Sequence, residues 1–237
     1  MRDIGTMVWK EWRDTIFPGG KLGNLSSLVF IGLLGIVFPL IDHVGWLAVS
    51  VQMVLLNVLL PFFFILMYIG DSFAGERERH TLETLLASRI SNRAILWGKV
   101  VSTVGYIWGM TLIASLLSMI VVNLAQGQWP WTFYTPFSSW LIVLAACMLA
   151  CLMATSGGIL VSLHSNTARQ AQQTLLLGSL GLFIVLYLVS RALPSQWFQG
   201  LSGPQIFLAA MLVTIVLDVV LLAITMASFR RSRLIGG

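Results

Sequence analysis

The feature that most constrains this chain is a succession of long apolar runs almost free of charge: Leu22 to Ile41, Val44 to Gly70, Val100 to Leu124, Trp140 to Leu163, Leu175 to Ser190 and Ile206 to Phe229. A helix rises about 1.5 Å per residue, so about 20 apolar residues cross a hydrocarbon core about 30 Å thick. Every run except the fifth reaches that length. The runs are continuous and do not alternate with period two, which excludes the strands of a membrane β-barrel. With 57% hydrophobic and 10% charged residues, the chain is also far from the soluble globular average of about 45–50% apolar and about 25% charged. The expected fold is an all-α membrane protein: an interfacial amphipathic helix over residues 1–20, then six transmembrane helices over residues 21–237. That plan leaves no room for a soluble catalytic head.

The net charge of +5 reports topology, because of where the basic residues lie. With both termini inside, the inner segments are 1–21, 71–99, 164–174 and 230–237. They hold 13 of the 14 Lys and Arg residues and leave Arg191 outside. So one-sided a distribution predicts an N-in, C-in orientation and argues against nucleic acid as a partner. The mixed charges Arg2, Asp3, Lys10, Glu11, Arg13 and Asp14 do not form a cleavable signal, so the first span is expected to stay.

At 100° per residue, Ile4, Met7, Val8, Trp12 and Ile16 fall on one side of an N-terminal helix. Arg2, Asp3, Lys10, Arg13 and Asp14 fall on the other, Trp9 lies at the boundary, and Glu11 intrudes on the apolar side. Such a helix lies in the membrane interface, with Trp9 and Trp12 at headgroup depth and Arg13 toward water. Phe17-Pro18-Gly19-Gly20 ends it. It is either an anchor or a lever that touches a partner.

The long inner loop, Asp71 to Lys99, holds four of the nine acids (Asp71, Glu76, Glu78, Glu83) and five of the fourteen Lys and Arg residues. A topological anchor needs only the basic ones. Dense mixed charge followed by an amphipathic turn, with Leu82, Leu85 and Leu86 on one side and Thr81, Glu83 and Thr84 on the other, reads as a protein-docking surface or as a solvated face. Ser91 is placed to cap a helix that continues into the third span through Ile95, Leu96 and Trp97.

The run GERERHTLETLLASRISNRAILWGK resembles the segment after the second span in ATP-binding-cassette permeases of the type-2 exporter class. There an acidic-basic run leads into TLE-x-LL and then a basic stretch ending in GK. His80 and Arg89 stand where family members often carry Gly and Pro. The topology resembles the same class along the whole chain, and the motif itself covers about 25 residues. The resemblance implies a coupling helix around Thr81 to Ser88 seated in a groove of a separate ATPase, with Glu76, Arg77, Glu78 and Arg79 forming ion pairs at its edge. Glu76 is the first candidate. It implies a smaller ATPase contact at Leu163 to Thr174, through His164, Asn166 and Arg169. It further implies two soluble ATPase subunits that hold ATP and magnesium, a second permease copy or paralogue, and a bacterial or archaeal cytoplasmic membrane.

The chain's own motifs agree with an outside source of energy. Gly20-Lys21 and Gly98-Lys99 lack the upstream Gly and the following Ser or Thr of a phosphate-binding loop. No catalytic triad, metal-spaced His cluster or paired intramembrane carboxylates stand in the sequence. Cys147 and Cys151, four apart in the fourth run, read as small-residue packing. Asp218 is the one ionisable residue well inside a run. Nine residues before Ala227, it falls about 13 Å from the inner boundary. An intramembrane carboxylate is a functional candidate, for a cation or a proton path, or a structural group bonded to Asn57 or to a Ser or Thr. Gly105 and Gly109, Gly157 and Gly158, and Gly178 and Gly181 are expected where helices touch, either within the chain or across a dimer. The uncharged, aromatic outer stretches Gln126 to Ser139 and Leu193 to Gln205 read as interfacial belts or caps of a pathway. Three functions stay open: the membrane subunit of an ATP-driven exporter of a hydrophobic, lipidic, drug-like or peptide-like substrate; an ATP-independent channel or ion-coupled carrier using Asp218; and a non-transporting assembly factor.

Overall fold

The computed structural model describes residues 5–6, 8–12, 21–43, 45–70, 72–79, 91–127, 130–192 and 203–229, and their regular structure is entirely helical. Helices cover each of the six apolar runs. The first is α1 (Lys21–Gly32), which passes through a π-helical segment, Leu33–Val37, into a last turn α2 (Phe38–Ile41). Then follow α3 (Val51–Ile69), the short α4 (Ala74–Glu78), α5 (Asn92–Gln126), α6 (Phe137–His164), α7 (Ala168–Ala192) and α8 (Gly203–Ser228). Among the described residues, four helices are long and apolar enough to cross a membrane: those that begin at Val51, Asn92 and Phe137, and the stretch Phe207–Ser228. Residues 5–6 and 8–12 are helical, and the rest of the 1–20 segment lies outside the described residues.

Two compact units share these helices. The first comprises Met1–Ile65 with Arg93–Leu152, the second Leu66–Asn92 with Met153–Gly237.

In the first unit one core gathers Trp46, Leu47, Met53, Val122, Tyr134, Trp140, Val143 and Leu144, and another Phe30, Leu34, Met110 and Ala114. The second run was expected to be helical from Val44, yet α3 begins at Val51. Polar side chains near the start of the run set that boundary. Asp42 accepts hydrogen bonds from the Ser50 hydroxyl at 2.9 Å and from the Gly45 amide at 3.3 Å, which holds the chain in turns. Ser50 Oγ in turn accepts the Met53 amide at 3.2 Å, an N-cap for α3. The stretch after α5 is pinned in a similar way: Asn123 Oδ1 accepts the Thr132 amide at 2.7 Å while its Nδ2 donates to Thr132 O at 2.9 Å. The adjacent Tyr134 stacks on Trp140, ring centroids 5.5 Å apart, and donates to Ser115 O. Burial pushes its hydroxyl pKa up to about 12, so it remains a neutral donor.

The second unit contains the closest helix approach at a predicted glycine. A Cβ on Gly158 would stand 2.0 Å from Ile69 Cγ2 and 3.1 Å from Ile69 Cβ, so α6 and the end of α3 meet across a missing side chain. Gly109, Gly157, Gly178 and Gly181 would meet nothing within 4 Å, and Gly105 faces Trp12 instead. Thr225 Oγ1 of α8 lies 3.3 Å from Ser156 O, and the rings of Phe73 and Phe229 are 5.5 Å apart. A paired substitution separates contact from composition. Gly158→Ala is expected to overpack this crossing and cost about 1–3 kcal/mol. Gly157→Ala, one residue away, is expected to leave the melting temperature of the detergent-solubilised protein at or above its native value.

Candidate functional site

The charged run after α3 is held against the α6–α7 turn by its own chain. The node is Ser162, buried in the last turns of α6. Its Oγ accepts the amides of Phe73 and Ala74, each at 3.0 Å, and donates to Gly70 O at 3.1 Å. One hydroxyl thereby satisfies backbone groups on both sides of the break between α3 and α4, groups that would be costly to bury unpaired. Gln172 of α7 adds a bond to Met67 O at 2.8 Å.

Two adjacent residues of α4 then match two helix ends. Arg77 donates through Nη1 to Ser165 O at 2.8 Å and through Nη2 to Leu163 O at 3.1 Å, at the C-terminus of α6. Glu78 Oε2 accepts the Ala168 amide at 3.3 Å, at the N-terminus of α7. A cation on a helix C-terminus and an anion on a helix N-terminus both oppose the local end of the helix dipole. The order Arg77-Glu78 is therefore set by the polarity of the turn between α6 and α7. That turn carries its own cap: Thr167 Oγ1 accepts the Gln170 amide at 3.2 Å, and Gln170 Oε1 accepts the Asn166 amide at 3.2 Å, close to a capping box.

The remaining predicted residues fall around this frame. Glu76 is half-buried in the first turn of α4, and Arg79 is exposed just after it. His164, the last residue of α6, and Arg169, in the first turn of α7, are exposed, His164 with Nδ1 2.8 Å from Leu160 O. The structure thus joins the 76–79 run to the α6–α7 turn through Arg77 and Glu78, whose partners are intramolecular. Thr81, Leu82, Glu83, Leu85 and Leu86 lie outside the described residues, as does Arg13.

Of the two intramembrane candidates, Asn57 is buried and donates to Met53 O of its own helix at 3.0 Å. Asp218 is 4% exposed, and neither carboxylate oxygen has a hydrogen-bond partner among the described residues. No group of three or more His, Cys, Asp or Glu residues able to hold a metal occurs among them either.

The two predicted interfacial tryptophans part company. Trp9 is 69% exposed, whereas Trp12 donates its indole N–H to Ser102 O at 3.0 Å, and its ring edge would stand 3.6 Å from a Cβ on Gly105. Beside it Glu11 Oε1 pairs with Lys99 Nζ at 3.2 Å. Sequence reasoning missed Ser162 and the Glu11–Lys99 pair. A serine in an apolar run gives no sign of what it bonds. For Glu11 there was a signal: an acid on the apolar face of an amphipathic helix asks for a buried cation.

The chain belongs to the ABC-2 family of transporter proteins, whose family model matches residues 26–228. It is accordingly a multi-pass membrane component of an ABC transporter, of a family that associates with separate ABC ATPase subunits. A search of curated proteins finds no match to the chain.

The Ser162 node gives a direct prediction. Ser162→Ala strands two backbone amides and a carbonyl in a buried setting, at a cost of about 1–3 kcal/mol per unpaired group before relaxation. Amide hydrogen exchange at residues 72–79 is expected to accelerate markedly in this variant, while exchange in α5 stays at its native rate.

Proposed function

We propose that this chain is the permease of an ATP-driven exporter, six spans with both termini cytoplasmic, powered by a pair of ATPase subunits docked on the 71–99 loop. The observation that carries the reading is the mounting of the loop's charged start on the α6–α7 turn through Ser162, Arg77 and Glu78. A segment that receives force from a partner must be attached to the helices it moves. Three bonds to Ser162 and two from Arg77 supply that attachment at this end of the loop.

In this reading Leu82, Leu85 and Leu86 enter the ATPase groove, with Thr81 and Glu83 at its rim. Glu76, Arg79, His164 and Arg169 line its edge, and Arg77 and Glu78 hold the frame. ATP and magnesium stay in the partner, and closure of the ATPase pair moves the coupling segment with the α6–α7 turn. A second copy or a paralogue of this chain completes the pathway in the cytoplasmic membrane of a bacterium or archaeon. The scarcity of charge within the spans favours a hydrophobic, lipidic, drug-like or peptide-like substrate. Family membership and the one-sided placement of basic residues support this orientation and partnership.

The test is purification from native membranes in mild detergent. An ATPase is expected to accompany the native chain. Leu85→Asp is expected to release it, and Glu76→Ala to lower the retained ATPase activity several-fold. If an ATPase stays bound and equally active in both variants, the 71–99 loop is not the docking site.

A second reading, an ion-coupled carrier, has the unpartnered burial of Asp218 in its favour. On that reading Asp218→Asn abolishes cation or proton flux in proteoliposomes without ATP. On the permease reading such flux is absent from the native protein as well.

A further inference from the structure

We infer that Glu11 and Trp12 latch the N-terminal helix onto the base of α5, so that the helix is carried by the third span rather than floating in the interface. The relevant residues all lie in the first compact unit. Lys99 is 2% exposed in its side chain, and Glu11, 22% exposed, stands 3.2 Å from its ammonium. A cation so deeply buried requires a partner, and Glu11 supplies a charged one. The bond is reinforced one residue on: Trp12 Nε1 donates to Ser102 O at 3.0 Å. Lys99 and Ser102 are three apart, one turn of α5, as Glu11 and Trp12 are neighbours on theirs, so two contacts fix both position and rotation. The Ser102 hydroxyl itself turns back to Lys99 O at 3.0 Å. At Gly105, the next turn up, the indole lies at ordinary contact distance, 3.6 Å from where a Cβ would stand.

This arrangement separates the helix's two tryptophans by task. Trp12, 37% exposed, makes a structural contact through its indole N–H, and Trp9, 69% exposed, is the freer of the two to meet headgroups. It also gives the helix a mechanical place. The chain enters α5 at Asn92 directly from the charged loop, and Lys99 lies two turns further on. On the proposed permease reading, a displacement delivered to that loop reaches α5 and carries the N-terminal helix with it. Glu11, Trp12 and Lys99 are thus positioning residues.

The experiment places a nitroxide at Lys10→Cys, an exposed position, and a second at Arg93→Cys, also exposed at the foot of α5. The native Cys147 and Cys151 are buried. In the native background the position-10 label is expected to be ordered. Glu11→Gln and Lys99→Gln should each loosen it to the same extent as the double substitution, since either change alone removes the pair. The reversed pair, Glu11→Lys with Lys99→Glu, should restore the native spectrum, and Trp12→Phe, which keeps the ring and loses the donor, should loosen it partially. Spectra unchanged in the single variants, or effects that simply add in the double, overturn the latch. These measurements need no ATPase, so they decide the latch whether or not the permease reading holds. With a co-purified ATPase, the distance between the labels should be the same without nucleotide and after vanadate trapping. A change in that distance in the native background would show that helix and span move separately and would also overturn the proposal.

Discussion

A break in a helix within an apolar chain exposes backbone amides and carbonyls that have no ladder partner, and the need to satisfy them organises much of this structure. Each described interruption is answered by a short polar side chain. Asp42 and Ser50 hold the turns between α2 and α3, Ser162 spans the gap between α3 and α4, and Thr167 with Gln170 closes the turn into α7. Asn123 does the same for the stretch after α5. The apolar runs decide that there will be helices, and these few residues decide where the helices stop. The charged loop inherits its attachment from one such repair, because the hydroxyl that mends the chain at Gly70 and Phe73 belongs to a different helix.

The helices and their order were legible from the sequence because nothing but helix satisfies twenty apolar residues in lipid. Their boundaries were less so. The start of α3 moved from Val44 to Val51 through hydrogen bonds from Asp42 and Ser50, residues whose partners periodicity does not reveal. Of the paired glycines, Gly158 makes a close helix crossing within the chain. The N-terminal helix shows a different limit. Plotting residues by angle treats the apolar face as facing one environment, and here that face meets another helix at Trp12 and Glu11. The residue that looked like noise in the amphipathic pattern was the contact.

Within the candidate site, the acidic-basic run Glu76 to Arg79 was legible as important and ambiguous in its direction. Charge alone cannot say whether a residue faces a partner protein or its own chain. Helix polarity supplies the missing term: Arg77 lies on the carbonyl end of α6 and Glu78 on the amide end of α7. Reversing the order of these two residues would place each charge against the like end of a dipole. Arg79, His164 and Arg169 around this frame are exposed.

The spans invert the reading rule of a soluble protein, since apolar residues lie both inside and outside while polar ones mark the packed face. In α5, Ser102, Thr111, Ser115, Ser118 and Asn123 recur at near-helical spacing and are all buried, while Val101, Ile113, Leu116 and Leu124 are exposed. These polar groups tolerate burial by bonding to a carbonyl one turn back: Ser102 to Lys99, Thr111 to Ile107, Ser115 to Leu112 and Ser118 to Ser115. Asn57 in α3 and Thr225 in α8 use the same device. A carboxylate cannot, because it offers only acceptors to a carbonyl that is itself an acceptor. Asp218 lies two turns before Thr225 on the buried stripe of α8 and is the member of that stripe whose burial has no local solution. Whatever satisfies it must come from outside its own helix backbone, which makes it the intramembrane position where a substitution tests function more sharply than packing.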